Sequence, residues 1–308
     1  HEHPKYDESH RARKSVFFFD DRIILLGSDI ENDNEKYKTQ TTMFQNYLAN
    51  KDMPIWVNSK DSVKEFPYEQ NIQTDKDFWV MDNNSNGYFI PEGYDIEITR
   101  STQDSKNHKN GKDTKGDFAT AVIDHGKAPK DQDYEYAILV KTDVESIEKF
   151  TEQMGNTDTA LYKVLQKDKN AHIVKDRLTN TTGYAIFEAN DNIDKGIVKG
   201  VETPTMIMTK ETGDDLVLSI VDPDLRLYEG IDESQYDEEG NRKEVSIYSR
   251  EWCKNESKPS TVKLTIAGEW NLKTVNENCK IISKDSAKTQ FEFICQDAKP
   301  IEIELSKK

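Results

Sequence analysis

Short apolar bursts separated by polar turn clusters recur along this chain, and that rhythm restricts its fold more than any other feature. Val16-Phe17-Phe18-Phe19, Ile23-Ile24-Leu25-Leu26 and Ala137-Ile138-Leu139-Val140 are blocks of strand length, rich in aromatic and branched side chains. Asp20-Asp21 joins the first two, and predicts a tight hairpin over Lys14 to Phe19 and Arg22 to Gly27. Further strands are expected at 54–57, 78–81, 87–90, 94–100, 118–124, 134–140, 172–174 and 183–188. Between them lie turn clusters such as Asp82-Asn83-Asn84-Ser85-Asn86-Gly87 and Pro91-Glu92-Gly93. One segment reads as a helix: Thr142-Asp143 caps Val144 to Met154, with Val144, Ile147 and Phe150 at helical spacing.

The polar stretch Asn190 to Gly196 predicts a domain boundary just after it. Strands at 205–209, 215–221, 245–249, 260–266, 279–283, 290–295 and 301–305 then make a second all-β segment. The acidic tract Glu229 to Glu244 reads as a solvated loop. The expected fold class is all-β: a large antiparallel β-sandwich over 1–197, then a smaller β-sandwich over 198–308.

Only 34% of the residues are hydrophobic and 32% are charged, yet the apolar ones are concentrated enough to build cores. The formal net charge of −16 disfavours nucleic acid and anionic membranes as partners, since phosphate binding needs clustered Lys and Arg. Here Lys and Arg are interspersed with Asp and Glu, so no basic cleft for an acidic polysaccharide is visible. No apolar run reaches the ~18 residues of a membrane helix. The opening His1-Glu2-His3-Pro4-Lys5 lacks a starting Met and a signal-peptide apolar region, so the sequence is expected to begin within a longer polypeptide. Cys253, Cys279 and Cys295 lack CxxC spacing. They allow at most one intrachain disulfide, with three free thiols as the alternative.

Four ordered segments resemble polysaccharide lyase family 8, the chondroitin, hyaluronan and xanthan lyases. They are Lys14-Ser15-Val16-Phe17-Phe18-Phe19-Asp20-Asp21 running to Gly27 and Ile30; Thr41-Thr42-Met43-Phe44-Gln45-Asn46; Gly116-Asp117-Phe118-Ala119 with His125-Gly126, Pro129 and Tyr134-Glu135-Tyr136; and Asp215 to Leu225. The first and third are more similar to the chondroitin ABC type than to hyaluronan lyases. The resemblance implies a parent enzyme that breaks the bond to a uronic acid by β-elimination. A base takes the C5 proton while another group neutralises the carboxylate.

In that family the Asn, His, Tyr and Arg that act lie on an α/α toroid, and an acidic residue of the central β-domain completes the ABC-type site. By resemblance that acidic residue precedes His1, so no catalytic residue is assigned here. The resemblance therefore implies a portion that is inactive alone, supports the helical domain and shapes one cleft wall. The implied partners are that N-terminal helical domain and an acidic polysaccharide, chondroitin or dermatan sulfate or hyaluronan, in the periplasm or outside a bacterium. The rival reading is a free-standing carbohydrate-binding or adhesive β-sandwich.

Individual residues invite sharper readings, each set against a plainer one. His125, beside Asp124, is read as a strand end with Gly126 at positive φ rather than as a catalytic group. His1, His3 and His10 with Glu2 or Glu8 read as unliganded terminal side chains rather than a metal site. Asp82 to Gly87 begins like a calcium loop, but Gly93 stands where the bidentate Glu belongs, so a turn is expected. Asp222-Pro223-Asp224 and Asp232 to Glu239 offer at most weak calcium attraction, and no cofactor is predicted. Trp56 and Trp79 are assigned to cores, while Trp252 and Trp270, near loop edges, are the candidate sugar-stacking platforms.

Overall fold

The structure is a computed structural model that describes residues 9–227, 238 and 255–308. The chain divides into two compact units, one of residues 16–161 and the other of the residues before 16 together with 162–308. Each unit combines a seven-stranded and a four-stranded sheet.

The sheets of the unit of 16–161 are built from β1 (Arg11–Phe19, of which 16–19 belong to this unit), β2 (Arg22–Glu31), β3 (Lys38–Tyr47), β4 (Ile55–Val57), β5 (Ser62–Val63), β6 (Tyr68–Gln73), β7 (Phe78–Met81), β8 (Gly87–Ile90), β9 (Asp95–Lys106), β10 (Asp113–Lys127) and β11 (Gln132–Leu139). The helix α1 (Val144–Met154) follows. The larger sheet runs β1-β2-β11-β8-β7-β4-β5 and the smaller β3-β10-β9-β6. The predicted hairpin is present, with Asp20 at φ 51 in its two-residue turn.

Successive strand residues point to opposite faces, and Tyr88 and Phe89 show what each face meets. Tyr88 packs on Phe44 of the smaller sheet, with ring centroids 5.0 Å apart. Phe89 meets the edge of Phe150 on α1 at 5.5 Å. The larger sheet is thus covered by the smaller sheet on one face and by the helix on the other. The helix begins as its sequence predicts, with the Asp143 carboxylate accepting from Ser146 N at 2.8 Å and Ile147 and Phe150 buried.

Arg100 ends the inward-facing row Ile96, Ile98, Arg100 on β9 and is fully buried. Its guanidinium donates to the carbonyls of Glu65 at 2.6 Å, Lys51 at 2.7 Å and Met53 at 2.8 Å. Burial pulls its pKa below the usual arginine value. The side chain acts as a clamp on the β3–β4 and β5–β6 connections.

The other unit contains β12 (Tyr162–Lys167), β13 (Ala171–Asp176), β14 (Thr181–Ile186), β15 (Val198–Val201), β16 (Thr205–Thr212), β17 (Asp215–Val221), β18 (Ser260–Ala267), β19 (Trp270–Leu272), β20 (Cys279–Lys284), β21 (Lys288–Cys295) and β22 (Ile301–Lys307). Its sheets run β12-β13-β14-β16-β17-β22-β19 and β15-β18-β21-β20. Their inner faces share one core, with Ile173, Tyr184, Ile207 and Leu218 from the larger sheet and Leu264, Phe291 and Phe293 from the smaller. Cys279 and Cys295 are buried free thiols, and burial pushes the Cys279 thiol up to about 12. Cys253 lies outside the described residues, as do the expected strand at 245–249 and nearly all of the acidic tract.

The boundary expected at 197/198 is corrected by this unit. β14 and β16 flank that point and pair antiparallel from Thr181↔Lys210 to Ile186↔Thr205, in the middle of one sheet. The polar stretch 190–196 carries the chain from that sheet into β15 of the opposing one. Asn190 bridges Val201, and Ile193 is buried. Turn-rich composition marks a change of sheet as readily as a change of domain. The contact division falls instead at 161/162.

Candidate functional site

The structure sorts the residues singled out in the sequence. Trp270 is corrected: it is 6% exposed in the core of the second unit. Its Nε1 donates to Ala267 O at 2.7 Å, and its backbone N donates to Thr289 Oγ1 at 2.9 Å. An indole enclosed this far cannot offer its face to a sugar, and proximity to a loop carries no information about which way a ring turns. Trp252 lies outside the described residues. Trp79 is buried and Trp56 half-buried.

Asp82, the first residue of the calcium-like segment, is buried with protein donors on both oxygens. Its Oδ1 accepts from Asn84 N and Asn86 N at 2.8 Å each; its Oδ2 accepts from Asn46 Nδ2 at 2.9 Å, Asn86 Nδ2 at 3.1 Å and Tyr88 OH at 3.2 Å. The segment is the β7–β8 turn. Asp222 is also buried, accepting from Ser260 Oγ at 2.6 Å and pairing with Arg226 at 3.0 Å. His1, His3, Glu2 and Glu8 lie outside the described residues, and His10 immediately precedes β1.

His125 is buried on β10, where its Nε2 shares a hydrogen bond of 2.8 Å with Thr41 Oγ1 and its ring lies 6.4 Å from that of Tyr134. Gly126 takes φ 76 where the β10–β3 register shifts, so the strand bulges at that point. The resembling block Thr41, His125, Tyr134, Tyr136 is therefore a packed cluster. Burial raises both tyrosine hydroxyls, Tyr136 to about 12.

The feature that sequence reading missed is the outer face of β3-β10-β9-β6, where a concavity of about 360 Å³ opens. Its floor follows from register: Thr120 on β10 sits between Gln45 of β3 and Thr99 of β9, and Val122 sits between Thr42 and Glu97. Gln45 Nε2 donates to Gln103 Oε1 at 2.5 Å, and Gln103 Nε2 donates to Thr120 Oγ1 at 2.9 Å. This chain of amides and a hydroxyl holds the wall side chains in place.

One end of the face is charged. Lys38 pairs with Asp124 at 2.5 Å and Glu97 at 3.7 Å. The Asp124 hydrogen bond raises the Lys38 pKa. Burial alone would raise Asp124, but the bonds from Lys38 and the Gly126 N–H outweigh it and hold its carboxyl low.

The other end is aromatic. Tyr47 is 62% exposed and meets Phe118 edge to face at 5.8 Å. Gly116 makes this end possible, because a Cβ there would lie 2.9 Å from the Phe118 ring and 3.5 Å from that of Tyr47. The available signal was the alternation of Glu97, Thr99, Ser101 and Gln103 with Ile96, Ile98 and Arg100, which continues beyond the strand end expected at residue 100.

Residues 2–151, which include the whole of this face, match the family described as polysaccharide lyase family 8, super-sandwich domain. The chain carries a family 8 super-sandwich domain. Similarity continues past that domain. The chondroitin sulfate ABC exolyase of Bacteroides thetaiotaomicron is 38% identical over 309 residues, covering 100% of this chain and 28% of that protein. The chondroitin sulfate ABC exolyase of Proteus vulgaris is 38% identical over 277 residues, covering 89% of this chain and 26% of that protein. The chain thus spans little more than a quarter of the length of these relatives. A solved xanthan lyase from Paenibacillus superposes with a TM-score of 0.75 at 18% identity, over 99% of this chain and 27% of that one. This likeness concerns the fold. The super-sandwich domain holds the polar face and the buried His125 cluster, and the β12–β22 unit follows it.

Proposed function

We propose that this chain is the non-catalytic β-sandwich portion of a longer bacterial glycosaminoglycan lyase that cleaves chondroitin-type polysaccharide by β-elimination. In that enzyme it supports a helical catalytic domain and shapes one wall of the substrate cleft, in the periplasm or outside the cell. The observation that carries this reading is the match of the entire chain, at 38% identity, to little more than a quarter of a chondroitin sulfate ABC exolyase. A free-standing binding module gains no comparable support, because the relatives carry this region inside a much longer protein.

The proton-carrying groups favour a supporting role. His172 is fully buried, and its Nδ1 shares a bond of 2.7 Å with Ser15 Oγ. His125 is held by Thr41. Tyr88 and Tyr94 are pushed far above the ordinary phenol value by burial and by Asp82 and Asp133 respectively. A group that takes a proton from a sugar carbon has to reach it, and His125, His172 and Tyr88 are enclosed in the protein.

The test is removal of the region matching 1–308 from the full-length lyase. Turnover of chondroitin sulfate is expected to fall by at least about tenfold, in keeping with the cost of misplacing a catalytic constellation. Unchanged turnover would overturn the supporting role.

A further inference from the structure

We infer that the outer face of β3-β10-β9-β6 binds an uncharged, hydroxyl- and acetamido-bearing stretch of a sugar chain. This goes beyond a supporting role, because it gives the chain a ligand contact of its own, and it stands on the geometry of the face. Apart from Glu97, the groove is lined by uncharged residues and is rich in groups that both donate and accept: the hydroxyls of Thr42, Thr99 and Thr120 and the amides of Gln45 and Gln103. Sugar hydroxyls and acetamido groups also donate and accept, so they match such a lining better than a purely anionic or purely apolar ligand.

The two ends narrow the ligand further. Lys38 is already engaged by Asp124 and Glu97, so the charged end presents two carboxylates to one ammonium and disfavours sulfate or phosphate. The aromatic end offers the exposed ring of Tyr47, braced by Phe118, as a stacking surface for the apolar face of a pyranose. From Phe118 to Asp124 the strand extends for about 20 Å, room for a chain of several rings rather than a monosaccharide. An apolar protein partner would find only Val122 on the floor.

The test uses the 308-residue chain and tetra-N-acetylchitotetraose as a neutral acetamido oligosaccharide, with binding followed by calorimetry and by backbone amide shifts. Saturable binding is expected, nearly independent of salt, with shifts concentrated on residues 40–47, 97–103 and 118–122. The Gln45→Ala/Gln103→Ala double variant is expected to weaken it by about tenfold, the loss of two modest hydrogen bonds. Tyr47→Ala is expected to weaken it comparably, while Tyr47→Phe, which keeps the ring, binds as the parent does. Thermal unfolding of each variant separates lost binding from lost folding, and the Tyr47 pair decides if the double variant does not fold. Three results would each overturn the inference: no saturable binding, shifts confined to other surfaces, or binding seen only with a sulfated chondroitin hexasaccharide and abolished by salt. None of these depends on lyase activity, so the groove and the supporting role can fail separately.

Discussion

Arg100 shows how much one side chain can hold. Its three carbonyl partners come from two separate loops, and the site is fully enclosed. Arg100→Met keeps much of the side-chain volume but leaves all three acceptors without their donor. The expected loss is about 3 kcal/mol or more, since each buried unsatisfied group costs ~1–3 kcal/mol. A denaturant midpoint close to that of the parent would show that water replaces the guanidinium. Nothing in the residues around it announces this role: Arg100 is legible as the end of a strand, and only the fold brings Lys51, Met53 and Glu65 to it. Trp270 teaches the complementary lesson. Its neighbours suggested a loop edge, whereas the indole turns into the core because Ala267 O satisfies its N–H there.

Among elements, α1 was legible to the residue because its cap, spacing and length all agree. The Ser146 amide holds the Asp143 carboxyl below its usual value of 3.8. A depressed carboxyl contributes stability above its unfolded value, and that contribution is lost as pH falls through the folded one. Asp143→Ala is therefore expected to lower the thermal midpoint of its unit by about 2–4 °C at neutral pH. The gap from the parent should close under strongly acidic conditions, and Asp143→Asn should retain most of the cap. A gap that stays constant with pH would assign the effect to helix propensity instead. Strands with apolar bursts, such as β7, β8 and β17, were equally legible. Those without one were not: β6 reads Tyr-Glu-Gln-Asn-Ile-Gln, and β3 places Gln40, Thr42 and Gln45 outward. The polar groove escaped notice for the same reason, because two of its four strands carry little apolar signal.

At the scale of the whole molecule, all-β architecture followed from the spacing of bursts and turns, and the lyase resemblance from four ordered segments. The division into units did not, because polar connections that switch sheets look like linkers. The charge of −16 argued against a basic polysaccharide cleft, and the groove found here is lined, apart from Glu97, by uncharged residues and is acidic at one end. The role proposed for the chain is that of a β-sandwich scaffold in a longer enzyme whose chemistry resides elsewhere. Its most direct test is the appearance of unsaturated uronate absorbance when chondroitin sulfate is given to the purified 308-residue chain and, in parallel, to the full-length protein. The expected result is a steady rise with the full-length protein and none with the chain alone. A rise with the isolated chain, or none with the full-length protein, would contradict the account.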